Sequence, residues 1–127
     1  MGLVNRALLV IALSICAIKA SAHGSDMPLH GGIVKIVGEM SFELLALDSG
    51  TEVYLIDDGD PVDSSSVSVS IKYGKGDGKT VIALEPAGAN KFIASDVLPG
   101  NNTILVVVTL PDGVSRIGAK FSPLSDS

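Results

Sequence analysis

Ser66-Val67-Ser68-Val69-Ser70-Ile71-Lys72-Tyr73 is the stretch that decides the fold. Val67, Val69, Ile71 and Tyr73 fall on one side of an extended chain, and Ser66, Ser68, Ser70 and Lys72 on the other. Alternation of that kind is the mark of a strand in a sheet with one face buried and one face wet. Outward from it the pattern repeats, with turn residues every eight to twelve positions. Lys75-Gly76-Asp77-Gly78 predicts a tight turn into a strand over 80–84, and a short strand at 91–94 follows the loop 86–90. Residues 103–110 are nearly all apolar and β-branched, which predicts a central strand buried on both sides. Pro111-Asp112-Gly113 then turns the chain into a last strand over 114–121. Towards the N-terminus, strands are predicted over 33–37, 41–47 and 52–56, the last ended by Asp57-Asp58-Gly59-Asp60-Pro61. Short strands at this spacing predict an all-β sandwich of seven or eight strands.

The N-terminus has a different composition. Residues 1–6 carry one Arg, residues 7–18 are apolar in character, and Ala20-Ser21-Ala22 is a small-residue cleavage site. The apolar run has 12 residues, well short of the roughly 20 that cross a bilayer. This is the pattern of a cleaved signal peptide over 1–22, and it predicts export to the periplasm with no stable membrane span afterwards. A lipoprotein signal acylated at Cys16 is the minor alternative, because Ile15 occupies the place where a small residue is wanted. Removal of 1–22 takes away the only Cys, and with it disulfides, thiolate ligands and thiol catalysis. It also removes Arg6 and Lys19, leaving seven basic residues against fourteen acidic ones, a formal charge of −7 on 105 residues. That balance speaks against nucleic acid and anionic membrane surfaces as partners.

Beyond the cleavage site, residues 23–32 read as a flexible His/Met/Gly arm, 33–121 as the β-sandwich domain and 122–127 as a polar tail. Both histidines of the chain, His23 and His30, lie in the arm with Met27 between them. Cleavage after Ala22 gives His23 a free amine beside its imidazole, a two-nitrogen chelate that suits Cu(II), while Met27 adds a soft donor suited to Cu(I). Cleavage after Ala20 puts His23 in third place, where the amine, two amides and the imidazole wrap a square-planar ion. His23, Met27 and His30 are therefore the candidate metal ligands. An ordinary signal junction followed by a polar linker remains open beside that reading.

Other motifs carry less chemistry. Asp57, Asp58, Asp60 and Asp63 are close in sequence, but their spacing departs from a calcium loop and Asp-Gly is what a hairpin turn needs. The run from Gly74 to Thr80 ends in Gly-Lys-Thr, yet the first glycine of a phosphate-binding loop would fall on Tyr73. With both histidines in the arm, no base neighbours the serines at 64–66, and nothing points to an enzyme.

His30-Gly31-Gly32, Phe42-Glu43-Leu44, Val53-Tyr54-Leu55, the segment 57–62, the segment 81–92 and Pro111-Asp112-Gly113 follow one another in an order that resembles a known family. These features resemble the small β-rich N-terminal module of periplasmic adaptor subunits from heavy-metal efflux systems, and the stand-alone periplasmic proteins similar to it. The resemblance spans about residues 30–121. It implies an immunoglobulin-like antiparallel sandwich, a non-enzymatic role linked to metal export or resistance, and an efflux or periplasmic partner protein. Of the candidate ligands it touches only His30. The function expected on this basis is periplasmic metal binding or metal chaperoning, with copper as Cu(I) or Cu(II). The alternative is a non-catalytic structural or protein-interaction module with no metal.

Overall fold

The structure, a computed structural model, describes residues 26–124. The expected signal peptide with Cys16, its cleavage site, His23 and the last three residues of the expected tail lie outside the described residues. Ten strands occur among the described residues: β1 (Ile33–Val37), β2 (Met40–Leu47), β3 (Gly50–Asp57), β4 (Asp60–Pro61), β5 (Ser68–Tyr73), β6 (Thr80–Ala83), β7 (Glu85–Pro86), β8 (Lys91–Ala94), β9 (Ile104–Thr109) and β10 (Arg116–Phe121). They form two sheets. One runs β1-β2-β3-β8-β7 with β4 also on β3, the other β10-β9-β5-β6. Every pairing is antiparallel.

The sheets meet through the alternate residues that the sequence pattern picks out. Phe42, Leu44, Val53, Leu55 and Phe92 from the first sheet pack in one cluster with Val69, Ile71, Ile104, Val106, Val108 and Phe121 from the second. β9 is flanked by β10 and β5 and is the central strand predicted. Ile104, Val106 and Val108 point inward, and Val107 on the other face is buried as well.

The turns explain where strands begin. Asp58 and Gly59 both have positive φ, +51° and +87°, and join β3 to β4. That backbone matches the right-handed twist of the flanking strands, as in a type I′ hairpin. Asp112 caps the β9–β10 turn: its carboxylate accepts from the Ser115 hydroxyl at 2.6 Å and from the amides of Val114 and Ser115 at 2.8 Å each. The Ser115 hydroxyl, then the two amides, hold this carboxyl below the usual range. The cap consumes residues 114 and 115, so β10 starts at Arg116, two residues later than the pattern predicts.

The strand predicted over 80–84 forms as β6 over Thr80–Ala83, and the chain then continues into β7, which reaches into the predicted loop 86–90. β6 pairs with β5 in the second sheet, whereas β7 pairs with β8 in the first. Leu84 is the crossing point, buried in the core with its amide donating to the Val69 carbonyl at 3.0 Å. One continuous segment thus belongs to both layers.

Candidate functional site on the outer face of the first sheet

Met40, Phe42 and Leu44 of β2 face the core, so Ser41 and Glu43 face outward. By the same parity Tyr54 and Ile56 of β3 face outward opposite Val53 and Leu55. Register places Val34, Glu43, Tyr54 and Lys91 in one row across β1, β2, β3 and β8. Ile36, Ser41 and Ile56 form the next row.

The chain preceding β1 is tied to this face. Gly31 has φ +86°, a conformation open to glycine. Gly32 lies against β2, where a Cβ would sit 2.5 Å from the Leu44 carbonyl oxygen and 2.7 Å from Leu45 Cδ1. The two glycines thus let the backbone reverse and hug the sheet. Gly32→Ala is expected to push the root of this segment off β2 and cost about 1–3 kcal/mol, the range for forced overpacking. Thermal melting and loss of amide-exchange protection at residues 29–32 check it.

Glu43 gathers the segment. Its Oε1 accepts from the Leu29 amide at 3.1 Å, and its Oε2 from the amides of His30 and Gly32 at 2.8 and 2.9 Å. The His30 imidazole reaches Oε1 through Nδ1 at 3.0 Å. Burial pushes the Glu43 carboxyl up, but the His30 side chain and the amides of Gly32, His30 and Leu29 together bring it below its ordinary value. The group is therefore a carboxylate at neutral pH. A carboxylate only accepts, so Nδ1 carries the proton and, in the neutral ring, Nε2 keeps its lone pair.

The ring of His30 stacks on Tyr54, with centroids 3.5 Å apart and planes 5° from parallel. Tyr54 is held in turn: its hydroxyl donates to Glu52 Oε1 at 3.2 Å, and Lys91 Nζ lies 3.6 Å from Glu52 Oε2 and 5.9 Å from the Tyr54 ring centroid. His30 is thus oriented both by its Nδ1 partner and by the face of an aromatic ring.

Met27 and His30 line the same pocket, together with Ser41, Glu43, Val34 and Ile56. Two of the three residues that the sequence singles out are therefore brought together, and the third, His23, lies outside the described residues. Residues 29–32, read from sequence as part of a flexible arm, are held by Glu43. Comparison with protein-family models, curated proteins and solved structures finds no match.

Glu43, Tyr54 and Ser41 were not picked out as site residues by the sequence reading. Glu43 had a signal, as the one charged residue of the otherwise apolar-rich strand Met40–Leu47. Among the described residues, no group of three His, Cys, Asp or Glu side chains is placed to hold an ion. The acidic run does turn work instead: Asp58 sits in the β3–β4 hairpin, and Asp63 accepts from the Ser65 amide and hydroxyl at 2.9 and 2.8 Å. The Gly74–Thr80 loop joins two strands through a short 3₁₀ turn at Gly76–Gly78.

Proposed function

We propose that this chain is an exported periplasmic β-sandwich protein of immunoglobulin-like type that captures a metal ion, copper in particular, and passes it on in metal homeostasis or efflux. The observation that carries the reading is the Glu43–His30 pair. A metal-binding histidine characteristically gives its second ring N–H to a carboxylate, which fixes the tautomer and makes the free nitrogen more basic. Here Nδ1 is engaged by Glu43, the ring is fixed on Tyr54, and the Met27 thioether lines the same pocket. His23 and the N-terminal amine left by cleavage would complete the ligand set. The resemblance to the small module of metal-efflux adaptors supports the same role, and the two antiparallel sheets packed on one core are compatible with the immunoglobulin-like type. Capture and handover, not turnover, is the chemistry such an arm suits, because its ligands can exchange with those of an efflux partner.

A metal-free interaction module is the second reading. It draws on β1, an edge strand whose Ile33, Ile36 and Val37 remain partly exposed. The two part company on the His23→Ala/His30→Ala double variant, produced by export through the native leader. Native mass spectrometry is expected to find one retained copper on the wild type and none on the double variant, with unchanged circular dichroism. A wild type that retains no copper would favour the interaction module, and equal copper retention by both proteins would overturn His23 and His30 as the ligands.

A further inference from the structure

The two sheets divide the charge of the chain unevenly. The strands of the first sheet carry five carboxylates, Glu43, Glu52, Asp57, Asp60 and Glu85. Those of the second sheet, β5, β6, β9 and β10, carry none. Their charged residues are Lys72, Arg116 and Lys120, three of the seven basic residues outside 1–22. Val69 and Ile71 of β5 and Ala119 and Phe121 of β10 face the core, so all three cations point to the outer face. Among the described residues none of the three is in an ion pair. Register sets Lys120, Leu105, Lys72 and Val81 in one row, and Gly118, Val107, Ser70 and Ala83 in the next. Arg116 and Lys120 are four residues apart on one strand, about 13 Å, and Lys72 lies two strands from them, about 10 Å away. The middle of the face is low. A Cβ on Gly118 would meet Leu105 Cδ1 at 3.3 Å, so Leu105 leans over the glycine, and Val107 beside it is buried. Val81, at the end of its row, is 58% exposed. The β5–β6 turn beyond that row adds Lys75 and Lys79 against Asp77.

We propose that the outer face of the second sheet docks on an anionic phospholipid surface. Net charge alone speaks against such a partner, but at physiological salt each charge reaches only about 8 Å. The carboxylates of the other sheet lie about 10 Å or more behind this face, so a bilayer in contact with it meets the cations first. The composition favours lipid over protein. Protein interfaces are centred on buried aromatic anchors and are poor in lysine, whereas this face has two lysines, an arginine and no aromatic side chain. Long cationic side chains around a low apolar centre, with one exposed valine among them, suit a planar layer of phosphate headgroups. Each cation near such a surface raises partition about fivefold, so three of them give weak, reversible docking. Docked in this way, the protein turns His30 and Glu43, on the outer face of the first sheet, away from the bilayer. This docking requires no metal.

The test uses the full chain exported through its own leader, with sedimentation alongside lipid vesicles as the readout. Vesicles of equal parts phosphatidylcholine and phosphatidylglycerol are expected to carry the protein down at low salt, and phosphatidylcholine alone to leave it in solution. Added salt should weaken the association as the screening length shortens. Lys72→Gln is expected to lower partition about fivefold, and Lys72→Gln/Arg116→Gln/Lys120→Gln about a hundredfold, with circular dichroism unchanged. Lys35→Gln changes the net charge as much as Lys72→Gln does but from the first sheet, and is expected to bind like the wild type. Equal losses in Lys72→Gln and Lys35→Gln would overturn the assignment to this face. Equal sedimentation with both kinds of vesicle, or none with either, would overturn the lipid surface. Binding to soluble polyglutamate that the triple variant loses, with no binding to vesicles, would give the face to an acidic protein instead.

Discussion

Phe42→Ala is expected to lower the unfolding free energy by about 3–5 kcal/mol, the cost of emptying an aromatic site in a closed core. Phe42 is fully buried, and its cluster draws on both sheets at once. The surrounding residues have little freedom to collapse into the space, since β2 is paired along its length with β1 and β3. Against a total stability of about 5–15 kcal/mol for a domain, a loss of this size removes a large share of the margin. Denaturant titration measures it directly. A midpoint within experimental error of the wild type would mean that the two sheets do not depend on this ring. The consequence for the site is indirect but large. β2 carries Phe42 inward and Ser41 and Glu43 outward, so a core defect here disturbs the residues on which the arm rests.

Glu43→Ala is expected to release the arm while leaving the sandwich folded. Four donors converge on this carboxylate, three amides and one imidazole. Hydrogen bonds to a charged group contribute about 1.5–3 kcal/mol each, but the arm can lift and hydrate its own amides, so the net loss is limited to the free energy of docking, about 2–3 kcal/mol. Glu43→Gln is expected to behave much the same. All four contacting groups donate, and a glutamine replaces one accepting oxygen with a donating NH₂. Amide exchange at Leu29, His30 and Gly32 is the readout, and retained protection in Glu43→Gln would show that the carboxylate is not what holds the arm.

The same group fixes a pH dependence. Its carboxyl lies below the ordinary value in the folded protein, so the folded state favours the ionised form. The stabilisation is complete above the usual glutamate range and disappears as the pH falls through the lowered folded value. Arm protection measured down a pH series is therefore expected to fade on the acid side of that range, and in Glu43→Gln this step should be absent.

Much of this was legible in the sequence for physical reasons that differ from element to element. The Ser-Val-Ser-Val alternation of β5 and the β-branched run of β9 report local environment, wet on one face or dry on both, and that is what a side-chain period records. Asp58-Gly59 announces its turn because few residues tolerate positive φ. That the chain goes on past Leu84 to pair in the other sheet as β7 is not legible, because nothing local in the predicted loop 86–90 says which strand it will meet. For the site, His30 and Met27 could be picked out as donors in a short stretch. That His30 lands on Tyr54 and against Glu43 depends on the register of β2 with β3 and on the reversal at Gly31-Gly32, facts of long-range pairing. Ser41 gave no sign at all, since a serine in a strand is ordinary until its partners are known.

The crossing at Leu84 gives the molecule a hinge side and a free side. Where β6 passes into β7, the layers are joined by a continuous run of backbone, and separating them there means tearing main-chain hydrogen bonds in both. At the opposite flank β1 lies beside β10 with no ladder between them. Thermal opening of the sandwich should thus behave like a book with its spine at residues 83–85, its covers parting first at β1. The segment before β1 is bound into the outermost page, so its root travels with the part of the sandwich expected to open first.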